Sequence, residues 1–379
     1  MSDVENPRIV YIVSQLGQGG AEQQLYYLLK YLRPNADLIS LAEGGYWLQP
    51  IRDLGYRVIE LKRQRSFDLS RLRAVQQYIQ TEQPDIVHLF MDGEPGAYGR
   101  IATLLTRHPH VVVGIRNHPA RDTGWYTTLR RYALNRHISM TVSNAMSSHR
   151  YMIEQEGILP ERARFIPNGL ELERFSPTQA AERKTLLPED WRDKVIVGTV
   201  GALAERKWPE QFVEVARRVL DQTGSVRFVH AGDGDLREKV QQLSRDLGVD
   251  QYMRFLGARR DVPAVLQAFD IFLMTSRNEG TPNAAMEAMA TGLPCVLTDI
   301  GDCRELIVEG ETGFIAPVGD ADQLARYVLQ LAADPALRQR MGQAGYARIQ
   351  DYDVHKMAAQ YRDLYREILT GSPALLAVE

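Results

Sequence analysis

Residues 8–13 read RIVYIV, and the glycine-rich loop Gly17–Gly20 follows them before a helical pattern begins near Ala21. An apolar run rich in β-branched residues and followed by glycines is typical of a buried strand. The helical pattern ends at Pro34 and places its leucines at Leu25, Leu28, Leu29 and Leu32. This succession of strand, tight loop and helix predicts the first unit of a parallel α/β sheet.

Strand and helix patterns continue to alternate along the chain. In the first half, the predicted strands are Asp37–Leu41, Arg57–Leu61, Asp85–Phe90, Val111–Ile115, Met140–Val142 and Arg164–Ile166. The pattern then restarts at residues 194–201, where KVIVGTVG predicts a strand that ends in glycine. Four further predicted strands lie at Val226–Ala231, Met253–Leu256, Ile271–Thr275 and Pro294–Thr298, and a short one at Gly313–Ala316.

The alternation predicts an α/β fold with two Rossmann-like, doubly wound domains that face each other across a cleft. We place an N-terminal domain at residues 1–176 and a C-terminal domain at residues 177–352. A last helix and tail occupy residues 353–379. Because this helix carries an apolar stripe, one side of it must be buried against another element.

Composition places the chain among ordinary globular proteins. Its length of 379 residues suggests two domains. Hydrophobic residues make up 44% and charged residues 25% of the chain, a composition that excludes wholesale disorder. A net charge of -3 argues against a nucleic-acid partner, and Cys295 and Cys303 are too few for a disulfide framework. Without a secretory signal or about 20 consecutive apolar residues, we expect a cytoplasmic protein and leave peripheral membrane attachment open.

Charge is distributed unevenly along the chain. Residues 1–176 carry 21 Lys and Arg against 18 Asp and Glu, whereas the remainder carries 24 against 30. Within residues 100–150 the only acid is Asp122, and the arginines are Arg100, Arg107, Arg116, Arg121, Arg130, Arg131, Arg136 and Arg150. This Arg-rich segment fits either a solvated surface or a face that meets an anionic acceptor or membrane, with Trp125 and Tyr126 suited to an interface.

The first glycine loop is not a dinucleotide fingerprint. Gly17 and Gly19 fit the first two positions of G-x-G-x-x-G, but Glu22 stands at the third, and no Walker Lys-Ser/Thr pair is present. Two interpretations remain: a tight turn, or a helix start at which Gly19 and Gly20 contact a phosphate. We favour the phosphate contact, because three glycines in four residues exceed what a turn requires.

Residues 270–294, DIFLMTSRNEGTPNAAMEAMATGLP, carry the most information about function. A strand leads into a polar loop and then a helix that begins near Pro282. Glu279 lies in the loop, and Glu287 lies about two turns into the helix among apolar neighbours. The N–H groups of the loop suit a diphosphate, and the two carboxylates can accept hydrogen bonds from hydroxyl groups. The alternative is that Glu279 caps the helix dipole and Glu287 lies at the surface, although a charge among apolar neighbours needs a partner.

This segment is similar to the E-x7-E signature of retaining glycosyltransferases of family 4, which have the GT-B fold. The resemblance extends over nearly the whole chain, through the loop 17–22, Ile166–Leu170, Gly201 with Arg206 and Lys207, Ala231–Gly234, Phe255–Gly257 and Leu306–Phe314. One such fragment is weak evidence, but the full set in order is strong. The resemblance implies two Rossmann-like domains and a C-terminal helix that crosses back to the N-terminal domain.

The resemblance also implies that the C-terminal domain binds a nucleotide-sugar donor. Glu287 is then expected to bind the ribose hydroxyls, and Glu279 to hold the donor sugar. Arg206 and Lys207 are expected to neutralise the leaving diphosphate, a role that two adjacent cations after a glycine-ended strand suit independently. Further donor contacts are expected from Gly257, Gly280, Thr281, Pro282 and Asn283.

The N-terminal domain is expected to bind the acceptor. The resemblance places a histidine near the donor sugar at His118, which follows the predicted strand Val111–Ile115. Asp92 and Glu94 close the preceding strand and can orient acceptor hydroxyls, with loop solvation as an equal alternative. The expected acceptor-side residues are Asp92, Glu94, Arg116, Asn117 and His118. The expected catalytic residues are Glu279, His118, Arg206 and Lys207.

Two departures from the family pattern concern the phosphate contacts. Ala202 stands where the family often has Arg, and Trp208 stands where the family often has Gly after Lys. The expected activity is retaining sugar transfer to a glycan, a lipid-linked saccharide or a small molecule, without a metal ion or a bound cofactor. A nucleotide-sugar epimerase of the same fold and a non-catalytic nucleotide-sugar binding protein remain the alternatives.

Overall fold

The computed structural model describes residues 6–62, 68–116, 135–175 and 186–371, without the side chains of residues 94 and 95. Its contacts divide the chain into an N-terminal unit, Met1–Gly169 with Val354–Glu379, and a C-terminal unit, Leu170–Asp353. Each unit contains one parallel sheet and two hydrophobic clusters. The predicted α/β class with two Rossmann-like domains is confirmed.

The N-terminal unit is built on a seven-stranded sheet in the order β3-β2-β1-β4-β5-β6-β7. Its strands are β1 Arg8–Val13, β2 Asn35–Ser40, β3 Arg57–Glu60, β4 Ile86–Leu89, β5 Val111–Ile115, β6 Met140–Ser143 and β7 Ala163–Phe165. Among the described residues that precede β7, the helices are α1 Gly20–Leu32, α2 Leu48–Asp53, α3 Leu69–Glu82, α4 Glu94–Thr106 and α5 Met146–Glu154. The strand order reverses between β1 and β4, which is where ligands bind in such sheets.

The C-terminal unit repeats this design with six strands in the order β10-β9-β8-β11-β12-β13. The strands are β8 Val195–Val200, β9 Val226–Ala231, β10 Met253–Gly257, β11 Ile271–Met274, β12 Cys295–Thr298 and β13 Gly313–Ala316. Among the described residues of this unit, the helices are α6 Pro209–Leu220, α7 Arg237–Asp246, α8 Val262–Gln267, α9 Asn283–Ala290, α10 Cys303–Leu306, α11 Ala321–Ala333 and α12 Pro335–Ile349. Here the strand order reverses between β8 and β11.

The last helix, α13 (Val354–Thr370), belongs to the N-terminal unit and packs against α1. Its predicted apolar stripe is buried in the same cluster as Tyr11 and Leu28 of the first strand and helix. The buried members of the stripe are Val354, Met357, Tyr361, Leu364, Tyr365 and Ile368. The crossing of the C-terminal helix back to the N-terminal domain is therefore present in the structure.

A buried polar network joins α13 to the strands of the N-terminal unit. The hydroxyl of Tyr365 lies 3.0 Å from the hydroxyl of Tyr11 and 2.7 Å from Nδ1 of His88. Arg116 donates to the hydroxyl of Tyr361 at 2.5 Å, and its guanidinium lies 4.2 Å from the centre of the Phe90 ring. Burial, with a smaller effect of the Arg116 charge, lowers the pKa of His88 well below its usual value. The network therefore contains one cation and a neutral histidine.

Among the described helices, none is long and apolar enough to cross a membrane.

Substitution of Tyr361 by Phe should destabilise the chain, because it removes an acceptor from the buried Arg116 guanidinium. Loss of a partner of a buried charged group costs about 1–3 kcal/mol of unfolding free energy. Urea unfolding followed by circular dichroism measures the change. The matched control is Tyr346→Phe on α12, where the ring is 37% exposed and the change should stay within about 0.5 kcal/mol. Equal losses in the two variants would contradict the importance of the network.

Candidate active site

Arg206, Lys207 and Glu279 come together in the C-terminal unit. The two cations lie in the 3-10 turn Glu205–Lys207 after β8, and Glu279 lies in the loop after β11. Because β8 and β11 are parallel neighbours, their carboxyl ends meet at the same edge of the sheet. Arg206 Nη1 lies 3.2 Å from Glu279 Oε2, and Lys207 Nζ contacts Oε1 of the same carboxylate. The structure therefore joins three of the residues predicted from the sequence.

The three charged side chains differ in their access to solvent. The Glu279 side chain is 9% exposed, that of Lys207 is 18% exposed and that of Arg206 is 59% exposed. Ser276 Oγ also donates to Glu279 Oε1 at 3.1 Å. Since two cations face one carboxylate, the cluster has a surplus positive charge. That charge can meet an anionic group at the strand ends.

The backbone of the Glu279 loop is held by the loop after β12. Asp302 N donates to the carbonyl of Gly280 at 3.1 Å. Gly301 has φ +49, and a Cβ atom there would lie 2.3 Å from the carbonyl oxygens of Glu279 and Gly280. Only glycine fits this close approach. Thr281 follows in the loop, Pro282 is the N-cap of α9, and Asn283 is its first residue. N–H groups in the first turn of a helix favour an anion.

Glu287 lies in the middle of α9 as a part-buried residue. Burial raises the pKa of its carboxyl to about 7, and the charges of Arg174 and Lys207 oppose this effect. Within the described ranges, its carboxylate makes no ion pair or hydrogen bond with another side chain. A part-buried acceptor of this kind can bind hydroxyl groups.

Gly257 lies at the end of β10, beside the ends of β9 and β8. Its carbonyl accepts a hydrogen bond from Gly232 N at 2.8 Å. Gly232 has φ +150, and a Cβ atom there would lie 1.8 Å from the carbonyl oxygen of Gly201, so this crossing requires glycine. The neighbouring Asp233 pairs with Arg237 at 2.8 Å. Over residues 6–62, 68–116, 135–175 and 186–371, no three His, Cys, Asp or Glu side chains are grouped to hold a metal ion.

His230 lies beside the charged cluster and was not singled out from the sequence. It is 3% exposed near the end of β9, and it lines a small cavity with Lys207, Thr275 and Ser276. Burial lowers its pKa to about 4, and the Lys207 charge adds to the effect. Its Nδ1 is buried without a hydrogen-bond partner in the described structure. The signal was its position directly before Ala231–Gly234, one of the segments that carry the family resemblance.

In the N-terminal unit, the glycine loop already holds a carboxylate. Gly19 is the N-cap of α1, and Gly20 is its first residue. The Glu22 carboxylate lies so close that a Cβ atom on Gly19 would be 2.2 Å from its Oε2. Burial raises the pKa of Glu22, and its own backbone N–H partly offsets the rise. Phosphate contact by Gly19 and Gly20 stays a prediction, and an anion there would have to share the loop with Glu22.

The other acceptor-side residues are only partly placed. Arg116 is 7% exposed and donates to Asn168 at 3.2 Å as well as to Tyr361, so it lies inside the unit. Asp92 forms an ion pair with Arg100 at 3.1 Å. Glu94 is the first residue of α4. Asn117 and His118 lie outside the described residues.

Two members of the Arg-rich segment fit neither a solvated surface nor a face that meets an anionic partner. Arg100 is 2% exposed and Arg116 is 7% exposed, because each is held inside the N-terminal unit by hydrogen bonds. Arg107, Arg136 and Arg150 are exposed. Arg121, Arg130 and Arg131 lie outside the described residues, as do Trp125 and Tyr126.

Comparison with known proteins adds independent information. The family description "Glycosyltransferase Family 4" matches residues 18–174, and "Glycosyl transferases group 1" matches residues 183–348. The chain is 26% identical to UDP-Gal:alpha-D-GlcNAc-diphosphoundecaprenol alpha-1,3-galactosyltransferase of Escherichia coli, over 80% of this chain and 81% of that protein.

Solved structures share the architecture. The crystal structure of Anabaena HepE in complex with UDP superposes with a TM-score of 0.83 at 22% identity, covering 94% of this chain and 99% of that chain. Sucrose-phosphate synthase of Thermosynechococcus elongatus superposes with a TM-score of 0.78 at 19% identity, covering 96% of this chain and 100% of that chain. Similarity at this level of identity establishes the fold.

The raised pKa of Glu287 predicts a pH-dependent cost to stability. Folding favours the protonated carboxyl. The contribution of this group to the free energy of unfolding is therefore full below the unfolded pKa of about 4.3, and it is lost as the pH rises through about 7. Glu287→Gln should therefore gain stability relative to the wild-type chain between pH 4.5 and pH 8. Thermal unfolding at several pH values measures the difference. Glu238→Gln, at an exposed carboxylate on α7, is the matched control. A difference that does not change with pH would contradict the burial of a titrating Glu287.

Proposed function

The chain belongs to glycosyltransferase family 4 and has the GT-B fold, and from this premise we propose a retaining, metal-independent sugar transfer. The donor is a nucleotide-diphosphate sugar, and the acceptor is a hydroxyl group of a glycan, a lipid-linked saccharide or a small molecule. The observation that carries the proposal is the cluster of Arg206, Lys207 and Glu279 at the carboxyl ends of β8 and β11.

Two of the compared proteins support the donor and acceptor classes. The name of the Escherichia coli relative states a UDP-Gal donor and a GlcNAc-diphosphoundecaprenol acceptor. The Anabaena HepE structure contains UDP. A nucleotide-diphosphate sugar and a lipid-linked saccharide are therefore the first donor and acceptor to test on this chain.

The proposed reaction breaks the bond between the anomeric carbon and the diphosphate oxygen. Negative charge then develops on the diphosphate, and Arg206 and Lys207 stabilise it electrostatically. The acceptor oxygen attacks the same face of the sugar, and its proton passes to the leaving phosphate. The bond formed and the bond broken share one face, so the anomeric configuration is retained.

The two carboxylates have separate roles in this proposal. Glu279 is anchored by Ser276 and by the cations, so it is placed to hold hydroxyls of the donor sugar close to the diphosphate. Glu287 accepts hydrogen bonds from the ribose hydroxyls, which gives its buried carboxyl the partners it needs. Glu279 positions the sugar and adds negative charge beside the developing oxocarbenium ion, without acting as a nucleophile.

The same cluster supports the metal independence that we propose. The surplus cationic charge of Arg206 and Lys207 performs the neutralisation that a divalent ion performs in other transferases. Asp233 and Asp235 have the spacing of a metal-binding Asp-x-Asp pair, but the Asp233 carboxylate is paired with Arg237.

The assay that tests this function measures nucleoside diphosphate released from a panel of UDP- and GDP-sugars, with and without acceptor saccharides, in excess EDTA. Release should require both donor and acceptor and should persist in EDTA. Lys207→Ala should lose transition-state stabilisation of about 2–4 kcal/mol, whereas Lys239→Ala, at a lysine paired with Glu210 on the outside of the unit, should keep wild-type turnover. Sugar isomerisation without acceptor would favour an epimerase, and donor binding without turnover would favour a non-catalytic protein.

We also propose that part of the N-terminal unit contacts an anionic membrane surface. Arg107 follows the end of α4, where Leu104 and Leu105 are 43% and 59% exposed. A cation beside two exposed leucines suits a surface that offers both anionic headgroups and an acyl boundary. Arg136 and Arg150 are two further exposed arginines of the same unit.

Flotation with vesicles tests this contact. The chain should float with anionic vesicles at low salt and less so at high salt, since each basic group near such a surface contributes about 1 kcal/mol. The double variant Leu104→Ser, Leu105→Ser should reduce flotation. Val318→Ser, at a residue that is 44% exposed in the C-terminal unit, is the control. Partitioning that is independent of salt and of headgroup charge would favour a soluble acceptor.

A further inference from the structure

Trp208 has an unusual backbone conformation beside the cation cluster. Its φ is 47 and its ψ is 59, which is the left-handed region that costs conformational energy for any residue with a side chain. Four described non-glycine residues have positive φ: Arg33, Gln83, Arg107 and Trp208. The other three cap the ends of helices, where this conformation is common. Trp208 likewise caps the 3-10 turn Glu205–Lys207, and unlike the other three it is also the N-cap of an α-helix, α6.

Contacts from the Glu279 loop hold Trp208 in this conformation. The guanidinium of Arg277 lies 3.7 Å from the centre of the Trp208 ring, which is a cation–π contact. The backbone N–H of Arg277 donates to the carbonyl of Arg206 at 2.8 Å, and Thr275 Oγ1 donates to the carbonyl of Trp208 at 3.1 Å. Strained residues persist only where their surroundings fix them in this way.

These contacts connect the two segments that carry the charged cluster. One segment runs from Arg206 to Trp208, and the other runs from Thr275 to Glu279. We infer that the stack of Arg277 on Trp208 is a clamp that fixes Lys207 and Glu279 relative to each other and thereby sets the affinity of the site for a diphosphate. The inference rests on the proposed function, because the diphosphate belongs to the nucleotide-sugar donor. Trp208 and Arg277 are positioning residues that act through Lys207.

The test uses a substitution that removes the indole without adding strain. Glycine adopts φ 47 freely, so Trp208→Gly should fold while losing the stack. Gln83→Gly is the matched control, because Gln83 has φ 43 at the end of α3, outside the charged cluster. Arg277→Ala, at an exposed residue, removes the other half of the stack and serves as the second variant. All three variants should keep a wild-type circular dichroism spectrum.

Calorimetric titration with inorganic pyrophosphate and with UDP measures the effect on the full chain. Trp208→Gly and Arg277→Ala should each weaken pyrophosphate binding by about two- to fivefold, which is the scale of a cation–π contact at an exposed site. UDP binding should fall by a similar factor, and Gln83→Gly should change neither affinity. Unchanged pyrophosphate affinity in Arg277→Ala would overturn the clamp, even if Trp208→Gly did not fold.

A double-mutant cycle separates the clamp from a merely structural role. If Trp208 acts through Lys207, Trp208→Gly should have almost no further effect on pyrophosphate affinity in a Lys207→Ala chain. A loss in that background as large as in the wild-type chain would overturn the inference. Sugar transfer by the wild-type chain is assayed in parallel. If the wild-type chain transfers no sugar but the cycle shows coupling between Trp208 and Lys207, the proposed function is wrong and the clamp stands. The two failures are therefore distinguishable.

Discussion

The candidate site depends on one electrostatic arrangement, in which two cations from one strand end meet a carboxylate from the next. Sheet topology brings them together, because the reversal of strand order makes β8 and β11 parallel neighbours. The surrounding glycines allow the loops to approach closely enough, and Ser276 and the Arg277 stack limit how the loops can shift. A surplus positive charge is thus built from residues that are far apart in the chain.

Much of the fold could be predicted from periodicity alone. Buried parallel strands are short, apolar and rich in β-branched residues, so β1, β5 and β13 stand out in the sequence. The last helix stands out through its apolar stripe. The sequence pattern did not indicate helices α11 and α12. Helix α12 contains Gly342 and Gly345, which lower its helical propensity. Its conformation depends on packing that a local pattern does not reveal.

The meeting of Arg206, Lys207 and Glu279 could be expected from the sequence, because these residues follow predicted strands of one parallel sheet. Their roles and that of Glu287 stay predictions. The site was less predictable where tertiary pairing decides. Arg100 and Arg116 look like surface cations in the sequence, but partners distant in the chain hold them inside the N-terminal unit. The same limit applies to His230, whose burial follows from the packing of β9.

The membership of α13 in the N-terminal unit has a consequence during synthesis on the ribosome. Tyr361, Tyr365 and Ile368 are buried against residues near the start of the chain. Domains generally fold as they emerge, with the N-terminal one first. Here the first sheet lacks part of its core until the last helix has left the exit tunnel, although the C-terminal unit is complete earlier. Throughout translation of the second half, the nascent N-terminal unit therefore exposes the apolar surface that α13 later covers. Exposed apolar surface of this kind favours aggregation.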